Sequence, residues 1–308
     1  MRLKAKLDAG EFAVLAELHL PKGIAIRTLV ADVLEVAEHV DAFVINDMSD
    51  AVMRMSAMCG AIMLQERGLE TVMQIGVRNR NRLALQGDLL GAGACGISNL
   101  LAITGQAPCF GDQHQAVEVH DLDHLDLLYA ITGLQAGKDL AGRALEGAPV
   151  FALTGSTVNP GLKGQALELE IEKMNRRYDA GARFFVTPPL FDLKDVETFR
   201  QRVDWQKYRI IPTVMLIKSL GVARYIERHL KHINMPPVLI ARLQTAANKA
   251  REGVSIAREM IAALKSEGCC GVQISTLGRE SQLPVLLASE DAAVAGIPSR
   301  PSRPAAIS

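Results

Sequence analysis

The sequence predicts a (β/α)8 TIM barrel of the α/β class, with extra helices ahead of its eighth strand. Three observations carry that expectation. Eight short apolar runs alternate along the 308 residues with segments of helical periodicity. Most of these runs end in polar or turn residues, as barrel strands do when their C-terminal ends converge on one mouth. No Gly-x-Gly-x-x-Gly follows the first run, which weakens the rival architecture, a doubly wound open sheet. Every run after the first follows a helical segment, which favours parallel pairing through right-handed crossovers.

The elements follow in order. An amphipathic turn breaks at Asp8-Ala9-Gly10, and Val14-Leu15-Ala16 then runs into Glu17. Ile26, Leu29, Val30, Val33, Leu34 and Ala37 form one stripe of a helix over 26–38. Phe43-Val44-Ile45 runs into Asn46-Asp47, ahead of a Met- and Ala-rich helix over 50–66. Val72-Met73 runs into Gln74, and a helix over 80–94 carries Leu83, Leu85, Leu89 and Leu90. Leu100 to Ile103 leads into Thr104-Gly105-Gln106. The next helix, 121–135, starts at Asp121 as its N-cap. Val150 to Leu153 leads into Thr154-Gly155, and a highly charged helix over 166–180 closes at Asp179-Ala180-Gly181. Phe184 to Val186 leads into Thr187, then a helix over 193–203. Ile210-Ile211 leads into Pro212-Thr213, then a helix over 217–230. Pro236-Pro237 opens an insertion of two helices, 237–247 and 251–266. Val272 to Ile274 leads into Ser275-Thr276, and a last helix spans about 280–290. Residues 1–298 read as one domain without a linker. The tail 299–308 has too little apolar surface to fold and is expected to be disordered.

Composition narrows the function classes. Hydrophobic residues make up 49%, enough for a large core, and 34 basic residues balance 34 acidic ones. That balance, without a basic cluster, argues against a nucleic-acid surface. No apolar run reaches the roughly 18–20 residues that span a bilayer, and no apolar segment of a secretory leader follows the basic N-terminus. Five cysteines, none in a C-x-x-C spacing, point to reduced thiols and a cytoplasmic setting. Cys269-Cys270 reads as buried packing, and the Met-rich stretch 53–63 as adaptable core. Leu- and Met-rich helix faces allow a homo-oligomer.

Glu17 stands out by position. A carboxylate ending an apolar strand at a barrel mouth would be partly desolvated, which raises its pKa and suits it to deliver a proton. The plainer reading is an ion pair with a neighbouring strand end. His120 and His124 are four apart, and His229 and His232 three apart, as metal ligands on a helix can be. Neither pair has a third ligand nearby and both read as exposed helix ends, so no metal site is expected. The charges from Glu170 to Arg177 read equally as a solvated helix face.

Several segments together resemble methylenetetrahydrofolate reductases, in particular the short bacterial catalytic-domain forms of one-carbon metabolism. They include Thr71 to Leu128, with LLAITGQAP and VEVHDLDHLDLL inside it, and Ala16-Glu17-Leu18-His19-Leu20-Pro21. Asp179-Ala180-Gly181-Ala182, Phe185-Val186-Thr187 and Phe191-Asp192 fit the sixth strand and its flanks. Ser275-Thr276-Leu277-Gly278-Arg279 fits a T-L-x-R element. The resemblance implies a barrel holding FAD at its mouth. NADH or NADPH would reduce the flavin, which passes hydride to 5,10-methylenetetrahydrofolate to give 5-methyltetrahydrofolate. Glu17 would be the general acid. Cofactor positions would be Asn46, Gln74, Thr104, Gly105, Gln106, Val119, Asp121, Gly155, Asn159, Glu170, Lys173, Arg176 and Arg177. Folate positions would be Gln106, Thr187, Pro188, Val222 and Arg279.

The chain departs from that pattern in one region. Gln106 stands where the family has an acidic residue near flavin and pterin, which removes a charge and leaves a neutral amide. Gln74 replaces a His found in some members. Gly155 and Asn159 replace a Tyr and a His around the flavin, and Pro188 and Val222 replace two ligand-binding Gln. Two alternatives follow: a flavin-independent reductase with direct hydride transfer from the nicotinamide, or a folate-binding subunit active only with a partner protein. Arg176 and Arg177 retain basic positions near the cofactor phosphates. Glu170 retains an acidic position near its ribose or adenine. Arg279 retains the contact to the folate's aminobenzoyl-glutamate tail, its plainer reading being a surface pair with Glu280 or Glu267. Asp121 serves either as a helix cap or as a cofactor contact.

Overall fold

The computed structural model describes residues 2–230 and 233–287. Eight parallel strands close into a barrel in sequence order, with β8 paired back onto β1. They are β1 (Ala13–Leu18), β2 (Ala42–Ile45), β3 (Thr71–Gly76), β4 (Asn99–Ile103), β5 (Leu153–Thr157), β6 (Phe184–Pro189), β7 (Ile210–Met215) and β8 (Gly271–Ser275). The expected TIM barrel is therefore the fold, and the open-sheet alternative falls because no strand is left at an edge.

Side-chain alternation sorts the core into two shells. Leu15, Val44, Val72, Leu101, Leu153, Phe184 and Ile211 pack in one inner cluster. Leu3 and Leu7 of α1 (Arg2–Ala9) join that cluster, so this helix stoppers the N-terminal end of the barrel. Arg2 and Lys6 fix α1 to Asp41, just ahead of β2. The outer shell joins the other strand faces to a ring of helices. That ring contains α2 (Arg27–Val36), α3 (Ala57–Gln65), α4 (Arg82–Ala94), α5 (His124–Gln135), α6 (Gly164–Asp179), α7 (Glu197–Arg200) and α8 (Trp205–Tyr208). The inserted helices build a third cluster. These are α10 (Pro237–Thr245) and α11 (Lys249–Ser266), which pack there with α9 (Leu220–His229); α12 (Leu283–Leu287) follows β8.

Local chemistry sets the helix ends. Asn81 caps α4 by accepting from the Leu83 and Ala84 amides at 3.1 and 3.0 Å. Asp123 and Asp126 form a reciprocal capping box at α5. The cap is thus Asp123, not Asp121, because Asp121 is drawn away by Arg82, whose Nε lies 2.9 Å from it. Gly181, at φ +117°, turns the chain out of α6 as expected.

Other boundaries also moved. The fifth strand is Leu153–Thr157 rather than 150–153, and Val150 is exposed. Its residues Thr154-Gly155-Ser156-Thr157 look like a loop, but inside a closed barrel they are a strand whose polar groups are satisfied by neighbours. The expected helix 50–66 begins only at Ala57, because Met48, Asp50 and Ala51 hold left-handed φ of 49°, 58° and 54°. The helix expected over 193–203 is a 3-10 turn (Leu193–Val196) followed by α7. Cys269 and Cys270 are buried, and burial pushes their thiols up to about 11 and about 12. In the Met-rich stretch, Met55, Met58 and Met63 pack on the core while Met53 is half exposed. No helix among the described residues is long and apolar enough to cross a membrane. The tail 299–308, the end of the last expected helix and His232 lie outside the described residues.

Candidate active site

The C-terminal strand ends surround a cavity of about 370 Å³ to which all eight strands or their first following residues contribute. Glu17, Asn46, Gln74, Leu101, Thr213 and Gln273 line it from within the barrel. The rim comes from Met48 to Asp50, Gly105-Gln106, Thr187 to Pro189 and Leu277. Strand register places these groups. Gln273 lies beside Leu15 and Thr213, and Ser275 lies one layer higher beside Glu17 and Met215.

Glu17 accepts a 2.7 Å hydrogen bond at Oε1 from Asn46 Nδ2. Its Oε2 makes no hydrogen bond or ion pair among the described residues, so the anticipated alternative of a strand-end ion pair is not what holds it. Asn46 Oδ1, Gln273 Oε1 and Ser275 Oγ are buried without partners. The neighbouring Asp47 is occupied differently. Its Oδ2 accepts from the Gly76 amide at 3.0 Å and from Arg80, which also reaches Asp88 at 2.9 Å. Burial raises the Asp47 pKa, with Arg80 opposing. Gln74 closes this network by accepting from the Asp47 amide at 3.1 Å.

A bulge shapes the opposite wall. Pairing between β6 and β7 slips between Val186 and Pro189, where Pro188 and Pro189 lack amide donors. The slip leaves the Thr187 carbonyl to accept from Thr213 Oγ1 at 2.6 Å, and Thr187 Oγ1 to accept from the Thr213 amide at 3.1 Å.

A second pocket, about 400 Å³, flanks the first through the adjacent residues Thr104 and Gly105. Arg78, Lys173, Arg176 and Arg177 line it together with His120, Asp123 and His124. Arg177 is tied to the Thr157 carbonyl at 2.7 Å and to Glu170 at 3.4 Å, and Arg78 to Glu118 at 2.8 Å. Lys173 and Arg176 make no ion pair among the described residues, which leaves two cations open to an anionic ligand. His124 is buried rather than an exposed helix end. One ring nitrogen lies 3.2 Å from Thr104 Oγ1 and the other 2.9 Å from Ser156 Oγ. Burial, and next the Arg177 charge, lower its pKa to about 3. It is therefore neutral at ordinary pH and adds no charge to the pocket.

The expected site residues divide clearly. Glu17, Asn46, Gln74, Gly105, Gln106, Thr187 and Pro188 meet in the mouth cavity, and Thr104, Lys173, Arg176 and Arg177 in the basic pocket. Asn159 lines a third pocket of about 260 Å³, which shares Pro188, Pro189 and Ile233 with the mouth. Glu170 anchors the Asn159 amide and Arg177 and lines none of these three pockets. Val119 donates to the Arg78 carbonyl, and Asp121 pairs with Arg82. Gly155 lies under the Phe184 ring inside the barrel. Val222 packs with the inserted helices. Arg279 is exposed and pairs with neither expected partner, since Glu267 holds Arg200 and Glu280 is buried against Thr276.

The sequence reading placed Asp47, Thr213 and Ser275 at strand ends without giving them a role, and it missed Gln273 and His124 as pocket residues. Gln273 had a visible signal: one polar residue between Val272 and Ile274, in a strand covered on both faces, must occupy the interior. Among the described residues no group of three or more His, Cys, Asp or Glu is placed to hold a metal ion.

Comparison with solved structures bears on the fold. A protein from Clostridium thermocellum that binds two copies of 5-methyl-5,6,7,8-tetrahydrofolic acid superposes with TM-score 0.59 at 13% identity, covering 92% of this chain and 97% of that one. Oxaloacetate acetylhydrolase, in complex with the product oxalate, gives TM-score 0.53 at 9% identity over 91% of this chain and 81% of its own. The EDTA monooxygenase of Chelativorans sp. BNC1 gives 0.52 at 11% identity over 90% and 92%. At such identities the likeness is one of barrel architecture. No curated protein sequence matches the chain. The family model for methylenetetrahydrofolate reductase matches residues 2–290, a span that takes in every strand and all three pockets, and the chain therefore belongs to the methylenetetrahydrofolate reductase family.

Proposed function

We propose that this protein is a flavin-dependent oxidoreductase that interconverts 5,10-methylenetetrahydrofolate and 5-methyltetrahydrofolate, with Glu17 as general acid and NADH or NADPH as electron donor. The observation that carries the reading is Glu17 itself: a carboxylate at the inner wall of the mouth cavity, held through one oxygen by Asn46 and with the other unengaged. Family membership supplies the substrate class. The folate-binding neighbour is consistent with it.

The residues of the flanking pocket fit FAD. Lys173 and Arg176, unpaired among the described residues, are cations suited to phosphates, and Arg78 and Arg177 lie beside them. FAD, when bound, supplies a hydride relay between nicotinamide and folate. The protein's own part is protonation and placement. Glu17 delivers its proton to the folate nitrogen whose bond to the one-carbon bridge must open. The Asn46 amide then donates to the resulting carboxylate and holds its rotamer. The closed barrel beneath the cavity keeps bulk water from below.

Glu17→Gln keeps size and hydrogen bonding but removes the transferable proton. Folate reduction should fall by about 100- to 10,000-fold, with flavin reduction by NAD(P)H preserved. Rapid-mixing absorbance follows the two half-reactions separately. If both proceed unchanged, Glu17 is not the acid. If purified protein lacks the visible bands of oxidised flavin even after reconstitution with FAD, the flavin part of the reading fails, and direct hydride transfer takes its place.

A further inference from the structure

We infer that Gln273 forms an uncharged acceptor floor for the hydrogen-bond-donating edge of a 2-amino-4-oxo pterin ring, with Asn46 and Ser275 as further unpaired groups on the wall above it, an inference that rests on the folate reading above. Three polar side chains line one cavity wall, exposed by only 5% (Gln273), 2% (Asn46) and 1% (Ser275). Each carries a buried oxygen with no partner. Buried polar groups are almost always satisfied, so these orphans, with the Ser49 hydroxyl as a fourth in the same cavity, imply an occupant that satisfies them.

The orientation of the two amides is set by their other ends. Asn46 Nδ2 is committed to Glu17 at 2.7 Å. Gln273 Nε2 faces Thr213 Oγ1 at 3.4 Å, and that hydroxyl's proton is already given to the Thr187 carbonyl. Both nitrogens are thus turned to protein, leaving Asn46 Oδ1 and Gln273 Oε1 as acceptors only, while the Ser275 hydroxyl can donate or accept. A ligand edge meeting this floor must present hydrogen-bond donors. The amino-pyrimidinone edge of a pterin does so through its 2-amino group and N3.

Two other polar groups at the mouth are poorer anchors. Asp47 is consumed by Gly76 and Arg80. Gln106, where the family resemblance expects a carboxylate, is an exposed amide at the rim. Depth agrees as well. Gln273 pairs with Leu15, one inward layer below Glu17, which is about 7 Å along the strand. A two-ring heterocycle with its donor edge at Gln273 would bring its far end to the level of Glu17, where the proton is needed. Pterin anchoring has then moved from a charged rim position to a neutral floor.

The test is affinity for 5-methyltetrahydrofolate and for its 2-desamino analogue, measured calorimetrically with wild type, Gln273→Met, Gln273→Glu and Ser275→Ala. Wild type should prefer the parent compound by about 10- to 100-fold. Gln273→Met should reduce that preference to within about threefold by weakening only the parent. Gln273→Glu, which keeps an acceptor oxygen, should retain it. Ser275→Ala makes a smaller change to the same wall and should lose part of the preference, a readout that stands if the Met variant does not fold. Full preference in both Gln273→Met and Ser275→Ala overturns the inference, as does a wild type that binds the two ligands equally. A wild type that binds neither overturns the folate reading itself.

Discussion

His124 sits at the first position of α5 with both ring nitrogens engaged by hydroxyls and almost no solvent around it. A neutral imidazole satisfies this arrangement by donating at one nitrogen and accepting at the other; a protonated ring cannot accept at either. Folding lowers the pKa from 6.5 to about 3, so the unfolded chain binds the extra proton first. Stability is complete above the unfolded value and is lost as pH falls from about 6.5 toward about 3. At pH 5 the loss from this group is on the order of 2 kcal/mol. Urea unfolding at pH 7 and pH 5 should show that difference in wild type and a much smaller one in His124→Gln. Equal acid sensitivity in the two proteins would show that His124 is not the titrating group.

At the scale of elements, β5 shows how a strand can carry little side chain and still be required. A Cβ built on Gly155 would lie 2.2 Å from the Phe184 ring on the neighbouring strand. The missing side chain makes room for the largest residue of the inner cluster. Gly155→Ala should therefore destabilise the barrel by about 1–3 kcal/mol or more, since neither the ring nor the strand can retreat within a closed sheet. A paired Gly155→Ala/Phe184→Leu variant should recover part of that loss in thermal unfolding. No recovery would mean that backbone freedom at Gly155, rather than space, is what matters. The β2–α3 loop follows similar logic. Its left-handed residues Met48, Asp50 and Ala51 bring the Ala51 carbonyl so close to Gly111 that a Cβ there would lie 1.8 Å away. Two mouth loops therefore lean on each other through a glycine.

At the scale of the whole molecule, closure makes the barrel cooperative, and α1 belongs to it despite preceding the first strand. Leu3, fully buried, reaches the inner cluster from below, while Arg2 and Lys6 bind Asp41. Leu3→Ala should cost about 2–4 kcal/mol. The loss should appear as one earlier transition, seen together by circular dichroism and by the fluorescence of Trp205, the single tryptophan, which lies at α8 far along the chain. Two separated transitions would make α1 an appendage rather than the stopper of the barrel.

The order of elements was readable from sequence because apolar periodicity reports burial, and eight alternations of strand and helix leave few ways to bury both faces of a parallel sheet. Glu17 was readable for the same reason: a charge at the end of an apolar run can only lie where the strand emerges. Other features needed the fold. Thr154 to Thr157 is a strand because neighbouring strands and His124 satisfy it, and Asp123 caps α5 because Arg82 occupies Asp121. Arg177 and Glu170 are turned inward as an anchor although their helix looks uniformly solvated. Gln273 and Asn46 gain meaning only when β8 closes on β1 and puts their unpaired oxygens around one space. Periodicity along a chain records which face of an element is buried. What that face meets is set by strands far apart in sequence, and only closure of the barrel brings those strands together.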